Sequence, residues 1–396
     1  TRCAAATVWL LGSATVLTSA ASPSSASTST SWLHGWDTTA EMTFADFRSP
    51  YILTEEQVAF AASKYRVVSL EKCSGISNGT MTEDFVYSTA QRLKAVDPTI
   101  KVLMYFATDQ QGLHCYNANQ EFLAHPEWSL RDDNGNVLPY VDPTNAEARK
   151  WWTSVPLGGT NGTGMFNGTA VVDLIDGVLA DGAGWSNLPN MTLERQEAVA
   201  DAKRQMVGEL QTIITNANGG VVMANGINMY PSPNADPRTP NDHNLHVLTV
   251  ANGIMNEHTA AFESVNANNA SFNMDVVHRD LDAIVEAATW ANTSSKSVFV
   301  QTWPGLYAGV QKYPPVSKGG EPTPTTNAEW RDALRSHFHF AHALFLSVAE
   351  ANMYWFYGGT WYDSGTGYLT CPEDPDSCPA PPEWYPALQK PLGKPL

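Results

Sequence analysis

The feature that most constrains this chain is an architectural repeat: short apolar runs, each followed by a helical pattern. Eight runs read as buried strands. They are WLHGWD from Trp32, RVVSLEKC from Arg66, KVLMYFAT from Lys101 and DGVLADGA from Asp176, then GVVMANGI from Gly220, NGIMNEH from Asn252, SVFVQTWPG from Ser297 and ANMYWFYGG from Ala351. Near-continuous apolar runs with β-branched residues suit parallel strands covered on both faces. Between them, TEEQVAFAASKY offers Thr54 as an N-cap ahead of acidic first-turn residues, and MTEDFVYSTAQRLKAV stops before Asp97-Pro98. The longest helical pattern ends at Asn218-Gly219. Strand then helix, repeated with no large gap except one, is the pattern of an α/β (β/α)8 TIM barrel. The rival doubly wound sheet calls for a Gly-rich phosphate loop after the first strand, and HGWDTTAEMTF has none.

The third unit breaks the rhythm. Between Thr108 and Asp176 the chain carries an elaborated loop, a helix expected over Thr144 to Ser154, and the Gly/Asn/Thr-rich stretch PLGGTNGTGMFNGT. The tail after Gly359 is rich in Pro, Gly, Asp and Tyr and reads as irregular chain wrapping the barrel. Residues 1–21 have a signal-peptide pattern, 22–31 a Ser/Thr-rich linker composition, and 32–396 form one barrel domain of catalytic type.

Six Asn-x-Ser/Thr sequons start at Asn78, Asn161, Asn167, Asn190, Asn269 and Asn292, which together with the leader point to a secreted, N-glycosylated protein. Cys3 leaves with the leader. The remaining four cysteines are expected to pair as Cys73 with Cys115 and Cys371 with Cys378. A formal net charge of -17 argues against nucleic acid, an anionic membrane or a strongly polyanionic substrate as partner.

Catalytic groups of such a barrel sit at the C-terminal ends of its strands. In order, those ends are Trp36 with Asp37, Glu71, Tyr105, Asp181, Asn225, Glu257 with His258, Trp303, and Trp355 with Tyr357. Side chains alternate along a strand, so Ser69 shares a face with Glu71, Leu179 with Asp181, Met223 with Asn225 and Met255 with Glu257. Carboxylates, an amide and aromatic rings converging on one mouth suit glycoside hydrolysis. That reaction needs one carboxylic acid for the leaving oxygen and one carboxylate as nucleophile or base. Asp181 is the candidate nucleophile or base and Glu257 the candidate general acid. Glu71, Tyr105, Asn225, His258, Trp303 and Trp355 are the candidates for the sugar site.

Plainer readings stand beside these. Asp176 opens its strand and belongs to the barrel bottom. Asp181 also suits capping the turn at Gly182, Glu257 pairing with an arginine, Asn225 a turn before Gly226, and the tryptophans packing. HFHFAH carries His337, His339 and His342, but residues two apart on a helix face different sides, so no metal site is expected there. No Gly-x-Ser-x-Gly elbow appears and no cofactor is expected. The expected partner is an oligo- or polysaccharide substrate.

HPEWSLRDDNGNVLPYVDPTNAEARKWW, followed by DLIDGVLADGAG, resembles the secreted, mostly uncharacterised glycoside-hydrolase-like barrels. In those, a His/Asn-Pro-Glu-Trp, Asp-Gly and Asp-x-Thr/Asn-Pro series precedes a strand reading Asp-Gly-hydrophobic-x-x-Asp. More distantly the chain is similar to the α-galactosidase clan and to endo-polygalactosaminidase-type barrels. The resemblance implies a carboxylate nucleophile ending the fourth strand and an acid/base carboxylate ending the sixth, which by position are Asp181 and Glu257. The α-galactosidase Lys-x-Asp strand end is missing, and the Asn-Glu pair that many retaining barrels carry on the fourth strand sits here on the sixth, as Asn256-Glu257.

Overall fold

The structure is a computed structural model. It describes most of residues 32–302, without 46–51, 227–244, 260–273 and some shorter pieces, and then residues 338–357 and 386–393. Eight parallel strands form one sheet: β1 (Met42–Ala45), β2 (Val67–Leu70), β3 (Lys101–Tyr105), β4 (Gly177–Ala180), β5 (Val221–Asn225), β6 (Gly253–Thr259), β7 (Ser297–Thr302) and β8 (Met353–Tyr357), neighbours in that order. A parallel bridge from Glu41 to Trp355, with Trp355 N–H donating to the Ala40 carbonyl (2.9 Å), brings β8 back against the approach to β1. The result is a nearly closed (β/α)8 barrel, as the strand–helix rhythm predicts.

Helices flank the sheet where local chemistry starts and stops them. In α1 (Glu55–Lys64) a capping box is complete: the Gln57 N–H donates to Thr54 Oγ1 and the Thr54 N–H to Gln57 Oε1. α2 (Thr82–Val96) ends at Asp97. α3 (Ala146–Ser154) is capped by Asn145, whose side-chain oxygen accepts from the Glu147 and Ala148 N–H groups. α4 (Leu193–Asn218) stops at Gly219, and α5 (Met274–Ser294) precedes β7. A further helix over residues 338–346 precedes β8. No helix among the described residues is long and apolar enough to cross a membrane.

Strand parity sorts the apolar residues into two cores. Inward-facing Met42, Phe44, Leu103, Leu179, Met223, Met255, Phe299 and Tyr354 fill the barrel, while Val68, Met104, Val178 and Val222 pack outward on the helices. Asp176, just before β4, is a bottom residue as its position suggests. Its carboxylate accepts from Lys94 Nζ (2.7 Å), Lys101 Nζ (3.3 Å) and the Val102 N–H (2.9 Å).

The first strand is a correction. WLHGWD is not β1; its described residues form an irregular plug under the barrel. Trp32 meets Phe299 and Tyr354 edge-on, each at 6.2 Å, and His34 Nε2 donates to the Met353 carbonyl (2.6 Å). Trp36 and Asp37 therefore lie at the N-terminal end, where a cavity of about 580 Å³ is lined in part by His34, Asp37, Arg66 and Lys101. The true strand is Met42–Ala45, whose inward Met42 and Phe44 have the volume to share an interior with seven other strands.

Between β3 and α3 the elaborated loop is an antiparallel hairpin, Ser129–Arg131 with Val137–Val141. Leu130 and Leu138 of the hairpin pack with Leu188, Met191 and Val199, so it leans on the start of α4. Asp132 anchors the hairpin turn, accepting from the Asn134 and Asn136 N–H groups. Cys73 and Cys115 are disulfide-bonded as expected. Cys371 and Cys378 lie outside the described residues.

Candidate active site

The site is at the C-terminal mouth, and strand register builds it. Leu179 is level with Met223, Ala180 with Ala224, and Met255 with Asn225. Asp181 therefore comes up beside Asn225, and Glu257 stands one inward position above it. The Asn225 side-chain nitrogen donates to both, at 2.8 Å to Asp181 Oδ1 and 2.5 Å to Glu257 Oε2. One amide thus ties together the carboxylates of the fourth and sixth strands.

Asp181 has two further donors, the Tyr105 hydroxyl to Oδ2 (2.6 Å) and the Gly182 N–H to Oδ1 (2.8 Å). Gly182 has φ +66°, the left-handed region that favours glycine, and this turns the chain so that its N–H faces back to the carboxylate. Thr108 Oγ1 fastens the same turn by donating to the Asp181 and Gly182 carbonyls. Burial, followed by the negative charge of Glu257, raises the Asp181 pKa; the hydrogen bonds from Tyr105 and Asn225 and the charge of Lys72 pull the other way. Asp181 and Glu257 both remain partly exposed, so a ligand can reach them. The Tyr105 phenol is held well above its usual range by burial and then by the charges of Asp181 and Glu71, which keeps it a donor.

Glu71 lies on the inward face, completely buried, and accepts from Lys72 Nζ at 3.2 Å. It is near the mouth but beneath the exposed carboxylates. His258 belongs to β6, but its side chain is outside the described residues, as is Trp303. Trp355 corrects the sequence reading. It is fully buried on the outer face, stacked on His342 (5.0 Å) and Phe345 (5.6 Å), with its indole N–H donating to Thr302 Oγ1. Tyr354 and Phe356 face inward, so parity turns Trp355 and Tyr357 away from the mouth. His342 is used in that packing and hydrogen-bonds Thr39 Oγ1 (2.9 Å); burial, then His339, hold its pKa down at about 4. His337 lies outside the described residues.

Two cationic residues went unread in the sequence. Lys203 of α4 is buried and donates to the Gly182 (2.9 Å) and Gly184 (3.2 Å) carbonyls, bracing the turn after Asp181. Burial lowers its pKa to about 8 against the opposing pull of Asp109 and Asp181. A signal was present: Lys203 falls at helical spacing on the buried stripe of Val199, Met206 and Val207. Lys72 is the second, with its ammonium 3.8 Å from the centre of the Tyr105 ring.

No family model matches the chain, and no curated protein matches it in sequence. Solved structures with a similar course include a β-galactosidase from the psychrophilic Marinomonas ef1 (11% identity, TM-score 0.47, covering 81% of this chain and 54% of that one). Others are the catalytic domain of a β-amylase from Paenibacillus polymyxa (8%, 0.46, 87% and 95%) and an Anoxybacillus α-amylase (12%, 0.42, 87% and 74%). The chain spans about half the length of the β-galactosidase. The barrel itself rests on the strand pairing, and the site on the contacts around Asn225.

Proposed function

We propose that the protein is a glycoside hydrolase in which Asp181 is the nucleophile and Glu257 the general acid/base. The observation that carries this reading is the single Asn225 amide bonded to both carboxylates. Their nearest oxygens stand no farther apart than those two bonds laid end to end. That favours the retaining arrangement, with carboxyls roughly 5–5.5 Å apart, over the inverting one at roughly 6.5–9.5 Å. Three hydrogen-bond donors support Asp181 as the group that attacks in ionised form.

In the first step Glu257 gives its proton to the glycosidic oxygen as the bond to the anomeric carbon breaks, and Asp181 bonds to that carbon. In the second, Glu257 takes a proton from water, whose oxygen displaces Asp181 and restores the enzyme. Like charges this close favour one proton between the two groups, which is the state the first step needs.

The substrate in this reading is a neutral oligo- or polysaccharide, since the mouth and the chain as a whole are acidic. We read the chain as exported and N-glycosylated, with the sequons and the Cys73–Cys115 bond as support. The test is a glycan panel digested by the wild type and by Asp181→Asn and Glu257→Gln, with the anomer of the first product read by NMR. Hydrolysis that survives both substitutions sinks the assignment, and inversion at the anomeric carbon sinks the two-step route.

A further inference from the structure

We propose that Lys72 is a positioning residue for the Asp181 carboxylate, acting through the Tyr105 ring, and that the Cys73–Cys115 disulfide holds it in place. The inference deepens the reading of Asp181 as nucleophile and rests on it, but its primary test needs no turnover.

The geometry is a chain of contacts. Lys72 Nζ lies 3.8 Å from the Tyr105 ring centre and 3.2 Å from Glu71 Oε2, and the Tyr105 hydroxyl donates to Asp181 Oδ2 at 2.6 Å. A cation over a phenol face draws electron density from the ring and makes the O–H a stronger donor. A stronger donor, with a positive charge behind it, favours the ionised carboxylate.

The lysine has little room to be elsewhere. A Cβ added at Gly112 would stand 2.9 Å from Lys72 Cδ, and Gly112 has φ +72°, so a glycine loop closes directly over the lysine stem. The next residue, Cys73, also has positive φ (63°), an uncommon state for a side-chain-bearing residue. Its N–H donates to Thr82 Oγ1 (3.0 Å), and its sulfur is bonded to Cys115. Tyr116, beside Cys115, donates its hydroxyl to the Tyr105 carbonyl (2.6 Å), so the disulfide joins the loop holding Lys72 to the strand holding Tyr105.

Among the described residues, Glu257 of β6, Tyr105 of β3 and Lys72 after β2 act on Asp181, Glu71 acts on Tyr105, and Lys203 of α4 interacts with both Asp181 and Asp109, the latter beside the Gly182 turn. Glu257 opposes ionisation of Asp181. Lys203 is directed at the Gly182 and Gly184 carbonyls, and Lys72 at the ring that touches Asp181 Oδ2.

The experiment titrates the side-chain carboxyl ¹³C resonance of Asp181, assigned by its loss in Asp181→Asn, in the full chain. Lys72→Met is expected to raise the Asp181 midpoint by about one pH unit, a tenfold change in proton affinity. Lys72→Arg is expected to restore most of it, and the effect of Lys72→Met should fall to less than half in a Tyr105→Phe background. A midpoint unmoved by Lys72→Met overturns the proposal, as does a full shift persisting without the phenol. Should Lys72→Met fail to fold, Lys72→Gln, which keeps a polar head for Glu71, takes its place with the same two outcomes. Hydrolysis of the glycan panel, measured in parallel, keeps the two claims apart. A moved midpoint with no hydrolysis sustains the lysine's role and sinks the glycosidase reading; hydrolysis with an unmoved midpoint does the reverse.

Discussion

Asp176 and Asp181 are five residues apart around one strand, and the two ends of the barrel treat them oppositely. At the bottom, Asp176 meets two lysines and a backbone N–H. At the mouth, Asp181 faces Glu257 across a shared amide, with the positive charge of Lys72 on the far side of a tyrosine ring. The bottom carboxylate is matched by its surroundings and locks β4 to β3 and α2. The mouth carboxylate is crowded by a like charge, an arrangement that lowers stability and suits chemistry. The same side chain serves the fold at one end and, in the proposed reading, a reaction at the other, because charge partners and exposure differ.

The largest test of that contrast is catalytic. Asp181→Asn and Glu257→Gln should each lower kcat by about 10³-fold or more on any glycan the wild type cleaves. Asp181→Asn should not lower the melting temperature. The sign follows from the raised pKa of Asp181: the folded state binds its proton more tightly than the unfolded one, so ionising it costs stability as pH rises past the unfolded value near 3.9. Removing that charge therefore leaves Tm at neutral pH level or higher, and a clear drop would break the comparison.

Asp176→Asn should do the reverse, losing about 3 kcal/mol of unfolding free energy in urea by leaving two lysines without their carboxylate. Hydrolysis per folded molecule should not change. Cys73→Ser with Cys115→Ser, which opens a loop of sequence separation 42, should cost about 2–3 kcal/mol in the same assay. Because Lys72 loses its anchor, the Asp181 titration should also move upward in that variant.

The smallest effect belongs to Lys203. Its folded pKa of about 8 lies below the unfolded value near 10.4, so its protonated form is disfavoured on folding. That penalty is present below about pH 8 and is relieved as pH rises from there toward 10. Unfolding free energy should therefore climb by up to about 2 kcal/mol across that window in the wild type, and the Lys203→Met difference should remove the climb.

Much of this was legible from residue order. Strands β2 to β8 are short apolar runs between helix and turn signals, and the inward parity of Asp181, Asn225 and Glu257 follows from alternation in β4, β5 and β6. The β1 error has a physical cause. WLHGWD has the bulk and apolarity of a strand, but Trp32 is used as a plug, while the real strand hides in AEMTFA, where Glu41 and Thr43 interrupt the apolar run. Trp355 failed for another reason: MYWFY is apolar on both faces, so nothing in its order tells which parity looks inward.

The sequence by itself determined the strand–helix alternation and the strand ends that carry carboxylates, because these depend on local periodicity, whereas the Cys73–Cys115 bond, between residues 42 apart in sequence, was an expectation that the fold had to decide. Only the tertiary structure decided that Trp355 faces the helices, that one Asn225 nitrogen joins Asp181 to Glu257, and that Lys72 lies on the Tyr105 ring. Those contacts depend on the stagger between neighbouring strands and on how the loops above them fold over, and both are set when the sheet closes on itself.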